Sequence, residues 1–307
     1  NFDACQEVQL ANVKLLALMA PSCGGQMYEL DCRAIRHNLL ATLTRRSEAY
    51  HRKVAAGANA ANGQVASIHD RVVFKQEGLD RQLQYDPYLR KSLLDHFYDS
   101  GLTLDAASRG HAVERGDFIG AVYEARVRRN PDRIQVLMIR EGMADGVPVR
   151  ITKGVTLNSG SPVLEIAYLL EGLPRDRTLH FGVEFNFAGL PAGADDRYFH
   201  DLDQNRLGQL GTQLNLTDAL GLGLVDEWLG IDVGLKLSKP TLLWTYPVAT
   251  VSQSEGGFEL VHQSVCVLPH WFVAADADGR WSVTMTLALD TSRAESRLPA
   301  SACAVTA

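Results

Sequence analysis

Residues 147–171 read VPVRITKGVTLNSGSPVLEIAYLLE, and their apolar pattern has a period of two. Val147, Val149, Ile151, Val155 and Leu157 keep one parity, and Leu164, Ile166, Tyr168 and Leu170 keep one after them. Between the runs stands Asn158-Ser159-Gly160-Ser161-Pro162. Side chains along a strand alternate between faces, so this pattern marks two half-buried strands, and the polar Gly/Pro cluster marks the turn joining them. The same alternation recurs at Phe181, Val183, Phe185 and Phe187, and at Trp281, Val283, Met285, Leu287 and Leu289. Asp276-Ala277-Asp278-Gly279, just before that last run, predicts a hairpin turn in which glycine takes the positive-φ position. A parallel sheet would need crossover helices of about ten residues or more between strands, and almost none is visible. The fold class expected is all-β, mainly antiparallel, as a large β-sandwich.

One helix is expected. Asp86-Pro87 supplies N-cap and first-turn chemistry, Leu89, Leu93, Leu94 and Phe97 repeat at helical spacing, and Ser100-Gly101 ends the run. Residues 55–66, AAGANAANGQVA, are small, polar and glycine-rich, which predicts a mobile loop over about 52–66 inside a single domain spanning 1–307. At this length about three quarters of the unfolded surface can be buried.

Composition narrows the function classes. The chain has 46% hydrophobic and 21% charged residues and a formal charge of −6. That balance disfavours a nucleic-acid partner, which asks for a basic face, and no apolar run approaches the roughly 20 residues of a membrane span. No dinucleotide or phosphate-loop glycine pattern occurs. Five cysteines, Cys5, Cys23, Cys32, Cys266 and Cys303, lack metal spacing and are odd in number, so free thiols in a reducing, cytoplasmic compartment are expected. The first twenty residues show no basic segment followed by a long apolar one, hence no visible signal peptide.

The block Gly24-Gly25-Gln26-Met27-Tyr28-Glu29-Leu30-Asp31, with Asn38-Leu39-Leu40 through Arg45-Arg46, Glu48, Tyr50 and His51, resembles the C-terminal β-sandwich region of glycoside hydrolase family 57, the α-amylase and 4-α-glucanotransferase group. Gly182-Val183-Glu184-Phe185-Asn186-Phe187, Asp196-Arg197-Tyr198-Phe199 and Val251 to Glu259 with Gln263-Ser264 resemble later blocks in the same order. The resemblance implies a sandwich of the galactose-mutarotase-like type with one or two short helical insertions. It implies packing in the same protein against an N-terminal catalytic barrel that processes α-1,4-glucan with two carboxylates. No segment matches the barrel, and the strands leave no room for about 250 further residues. The chain alone is therefore expected to be a non-catalytic accessory domain whose partners are that barrel and α-glucan or maltooligosaccharide. A free-standing carbohydrate-binding module and a mutarotase-like aldose epimerase are the alternatives.

The candidate residues follow from chemistry. Arg45, Arg46 and His51 close the first block and are candidates for a docking edge, since guanidinium forks pair with carboxylates. Glu184 and Asn186 lie on the polar face of the Phe181–Phe187 strand, where they suit sugar hydroxyls, a solvated polar row being the plainer reading. Trp244, with Tyr246 on the same face, suits either a platform under a glucose ring or core packing. His262 lies in an apolar row; with Glu184, Glu255 or Glu259 it is a candidate acid/base pair, and a hydrogen-bonded core histidine is the plainer expectation. Asp195, Asp196, Asp201 and Asp203, with Asn205, are weak calcium candidates. Asp201, Asp203 and Asn205 match the first EF-hand spacings, but Arg206 and Thr212 stand where glycine and glutamate are needed. No other cofactor is expected.

Overall fold

The computed structural model describes residues 5–59, 74–188 and 190–297. Its strands are β1 (Val8–Ala11), β2 (Leu15–Ala20), β3 (Gln26–Cys32), β4 (His37–Asn38), β5 (Leu94–Tyr98), β6 (Glu124–Arg129), β7 (Arg133–Ala144) and β8 (Val147–Asn158). They continue as β9 (Val163–Glu171), β10 (Leu179–Phe187), β11 (Arg197–His200), β12 (Arg206–Gln209), β13 (Leu214–Asp226), β14 (Ile231–Ser254), β15 (Gly257–Val273) and β16 (Arg280–Asp290). Among the described residues three short α-helices accompany them, α1 (His51–Asn59), α2 (Leu104–Ser108) and α3 (Ser292–Glu295), with one 3-10 turn at Leu79–Gln82. Every strand ladder is antiparallel.

The sandwich arises because one sheet folds over itself along two long strands. The first half of β14 ladders with β16, Asp232 to Leu237 against Asp290 to Met285. Its second half, from Leu242, ladders with β15 instead. Pro240, which has no N–H to offer a ladder, sits at the changeover, and β13 changes register beside it with Asp218 at φ 54°. One layer therefore runs β6-β7-β8-β9-β16-β14, and the other joins β14 to β15, β10 and β5. The meander β1–β4 extends the second layer: Met27 bridges Ser92, and Leu40 bridges Phe187.

The parity runs face the core as expected. Ile151, Val155, Leu164, Ile166, Met285 and Leu287 from the first layer meet Phe181, Val183, Phe185, Val265 and Val267 from the second, all buried in one cluster. Burying such a side chain contributes about 1.5–3 kcal/mol. Lys153 shares the inward parity of β8 and is also fully buried. Its Nζ lies 2.9 Å from the Asp95 carboxylate of β5 and donates to the carbonyls of Leu93 and Gly24. Asp95 also accepts hydrogen bonds from Tyr123 and Tyr168 at 2.6 and 2.7 Å, so the pair pins one layer to the other.

Three local expectations are corrected. The segment from Asp86 to Gly101 is not a helix; it is extended and contains β5, all five of whose residues are buried. The apparent helical spacing arose because both faces of β5 are covered and carry large side chains. Residues 51–59 form α1 rather than loop, alanine favouring helix, while the rest of the expected loop lies outside the described residues. The turn at Asp276–Gly279 forms, with Gly279 at φ 75°, but β15 and β16 pair with other strands, so it crosses between layers instead of closing a hairpin.

Candidate functional site

All nine residues of β10 are buried, although only alternate ones can face the core. The other face carries His180, Gly182, Glu184 and Asn186, and the segment from Gln84 to Ser92 roofs its Glu184 and Asn186 end through Tyr88, Arg90, Lys91 and Ser92. β5 lies beside it in register, His96 opposite Gly182 and Leu94 opposite Glu184. Gly182 is required there, because a Cβ would stand 2.9 Å from the Tyr98 ring.

An ionic chain runs beneath the roof. Arg45 donates through Nη2 to Asp86 at 2.7 Å, and Arg90 Nε donates to the same carboxylate at 2.7 Å. Arg90 Nη1 reaches Glu184 Oε1 at 3.0 Å, and His96 Nε2 stands 3.4 Å from Glu184 Oε2. His96 Nδ1 meets Glu114 Oε2 at 2.8 Å. Glu184 also accepts from Tyr88 Oη at 2.8 Å and from Asn186 Nδ2 at 2.6 Å. Three cations and three carboxylates thus alternate, which offsets the cost of burying each charge.

The electrostatics fix the protonation states. Burial opposes the Glu184 charge, but the Arg90 charge, the His96 imidazolium 3.4 Å away and the hydrogen bond from Asn186 win and hold its pKa down to about 2. Burial likewise disfavours the His96 imidazolium, and its hydrogen bond to Glu114 and the nearby Glu184 charge raise it to about 9. A general acid or base works best with a pKa near the operating pH. At neutral pH Glu184 stays a carboxylate and His96 a cation, so neither readily exchanges a proton. A cavity of about 470 Å³ opens beside the chain of charges, lined by Tyr88, His96, Tyr98, Glu114, Gln26 and Leu89 among others.

His96, Glu114, Tyr88 and Arg90 were missed from the sequence because they stand on, or beside, a strand that reads as helix. Of the expected residues, Glu184 and Asn186 are brought together here. His262 is not: it is half-buried and forms no ion pair with a carboxylate among the described residues, and burial lowers its pKa. Glu255 is exposed in the turn between β14 and β15. Trp244 is 6% exposed, donates to Asn215 Oδ1 at 2.8 Å and packs its ring 4.1 Å from His270, which makes it a core residue.

The expected docking edge divides. Arg45 is buried and engaged by Asp86 and Gln84, and His51 is buried with Nε2 3.0 Å from the Val251 carbonyl. Their side chains brace the chain's own fold and are not offered to a partner. Arg46 alone is presented, its side chain 83% exposed beside Glu48. The calcium candidates do not converge. Asp201 accepts from the backbone of Asp203 and Asn205, Asp195 accepts from Gln209, and Asp196 pairs with Arg197. Among the described residues no group of three or more His, Cys, Asp or Glu side chains is placed to hold a metal ion.

Comparison with known proteins fits this architecture. The profile of the family described as alpha-amylase/4-alpha-glucanotransferase, C-terminal, matches residues 1–285. A 4-alpha-glucanotransferase of Thermococcus kodakarensis is 28% identical over 266 residues, 86% of this chain and 37% of that protein. The crystal structure of the 4-alpha-glucanotransferase of Thermococcus litoralis superposes with a TM-score of 0.70 at 25% identity, over 94% of this chain and 40% of that one. A putative aldose 1-epimerase of Escherichia coli K12 shares the fold, with a TM-score of 0.53 at 10% identity over 94% of this chain and 99% of its own. The chain therefore spans well under half the length of the glucanotransferases it matches. With its matched region running from the first residue to Met285 on β16, this chain belongs to the α-amylase/4-α-glucanotransferase C-terminal family.

Proposed function

We propose that the chain is the non-catalytic C-terminal part of an α-1,4-glucan-processing enzyme of the α-amylase or 4-α-glucanotransferase type. It packs against the catalytic barrel of the same protein and offers a surface to α-glucan, in a reducing, cytoplasmic setting where Cys23, Cys32 and Cys266 stay thiols. The observation that carries the reading is the family match over residues 1–285, made with barely more than a third of the relatives' length. The site supports it: Glu184 is held ionised, so it makes a poor proton donor, and it is fully buried with its oxygens engaged by Tyr88, Arg90 and Asn186, so it is not free to attack a substrate.

The epimerase reading requires a His and Glu pair converging in a concavity; His96 lines the cavity, but Glu184, 3.4 Å from it, is fully buried and does not. Their locked protonation states argue against proton shuttling at neutral pH. Immunoblotting of the native source with antibodies raised to this chain tests the proposal. A polypeptide far larger than 33.6 kDa is expected, and a native product of only that mass would overturn it.

A further inference from the structure

The four-residue turn between β13 and β14 presents Trp228, which is 69% exposed. Of the other tryptophans, Trp244 and Trp271 are buried at 6% and 7%, and Trp281 is half-buried. An indole so exposed carries an unfavourable contact with water, and the chain holds it on a turn that is tied down from several sides. Asp226, fully buried, accepts from the Leu229 N–H at 2.8 Å through its carboxylate and from the Gly230 N–H at 2.9 Å through its carbonyl. Arg197 ion-pairs with the same carboxylate at 3.3 Å. Arg297 places one guanidinium nitrogen on the Trp228 carbonyl and another on the Glu227 carbonyl, each at 2.6 Å. Arg293, from α3, pairs with the Glu227 carboxylate at 3.0 Å, and Tyr198 donates to it at 3.2 Å.

Ordering a binding turn before contact removes part of the entropy cost of binding. What is ordered here is the backbone that presents a flat apolar ring, with the Glu227 carboxylate and its partner Arg293 supplied by the same turn and the helix beside it. That chemistry complements a pyranose, whose axial C–H face is apolar and whose edge carries hydroxyls needing charged or planar hydrogen-bonding groups. We infer that Trp228 is a stacking platform for a glucose unit of an α-glucan chain, with Glu227 and Arg293 addressing its hydroxyls. The inference rests on the glucan-processing reading and names where this chain touches the polymer.

The test uses the whole chain as wild type, W228A and W228F, in tryptophan-fluorescence titrations with maltoheptaose and in native gels containing glycogen. Maltoheptaose is expected to shift the emission of the wild type and protect it from acrylamide quenching, because Trp228 is the most exposed of the four tryptophans. W228A is expected to lose that response and to bind at least tenfold more weakly, with W228F between the two. Thermal unfolding at the wild-type temperature shows that the variants are folded. Equal affinity in wild type and W228A overturns the platform while leaving the accessory reading to the size of the native protein. No binding by the wild type at millimolar maltoheptaose also overturns it, and leaves Trp228 as an anchor for protein.

Discussion

His96 gives the protein a distinctive alkaline weakness. Its folded pKa of about 9 stands well above the ordinary value of 6.5 because Glu114 and Glu184 hold its proton. Below pH 6.5 both folded and unfolded chains bind that proton and its stabilisation is complete. Between 6.5 and 9 only the folded chain holds it, so stability falls as pH rises, and above about 9 the contribution is gone. At about 1.4 kcal/mol per pK unit the effect is on the order of 3 kcal/mol. Glutamine at position 96 keeps the volume and one donor but removes the cation. H96Q should therefore be less stable than wild type by about 3 kcal/mol at pH 6, with the gap closing by pH 9.5. The lowered pKa values of His180, His262 and His270 act in the opposite sense and cancel in the difference. Urea unfolding of both proteins from pH 5.5 to 9.5 measures the gap directly. A gap independent of pH, or none at pH 6, would refute the ionic chain as described.

Other outcomes follow from the same packing. Glu184, at about 2 against an ordinary 4.5, contributes stability fully above pH 4.5 that is lost as pH falls through about 2; acid titration of E184Q should show a flatter arm than wild type, and parallel arms would contradict the assignment. K153M strands the Asp95 carboxylate between two tyrosines and should cost about 3–5 kcal/mol in chemical denaturation, a loss under about 1 kcal/mol counting against a buried charged pair. Gly24 stands at φ 69° with its Cβ position 2.9 Å from the Gly120 nitrogen, so G24A should destabilise by more than about 1 kcal/mol, whereas G160A, in open space at a similar φ, should cost less.

The strands were legible where one face is core and the other wet. β9 and β16 follow their parity runs because alternation in sequence is alternation in burial; β10 was legible although both its faces are buried, because its second face carries the polar His180, Glu184 and Asn186. β5 was not legible, since Leu94, Asp95, His96, Phe97 and Tyr98 are all buried and no polar face survives to reveal the period. Its misreading also hid His96, the residue that completes the ionic chain. Lys153 did leave a signal: it stands on the inward parity of β8, and a charge there implies a buried counterion, which is Asp95. Arg45 and His51 read as surface because local sequence does not disclose that Asp86 and Val251 close over them. Glu184 was recognisable as a polar-face residue; that Tyr88, Arg90 and Asn186 surround it is information held only in the tertiary fold.

Product analysis after long incubation of the purified chain with maltoheptaose addresses most directly whether this sandwich is catalytic. Chromatography should show maltoheptaose unchanged, with neither shorter nor longer glucans, for wild type and E184Q alike. Turnover by the wild type that E184Q abolishes would contradict a Glu184 carboxylate locked by Tyr88, Arg90, His96 and Asn186, and would make this chain an enzyme in its own right.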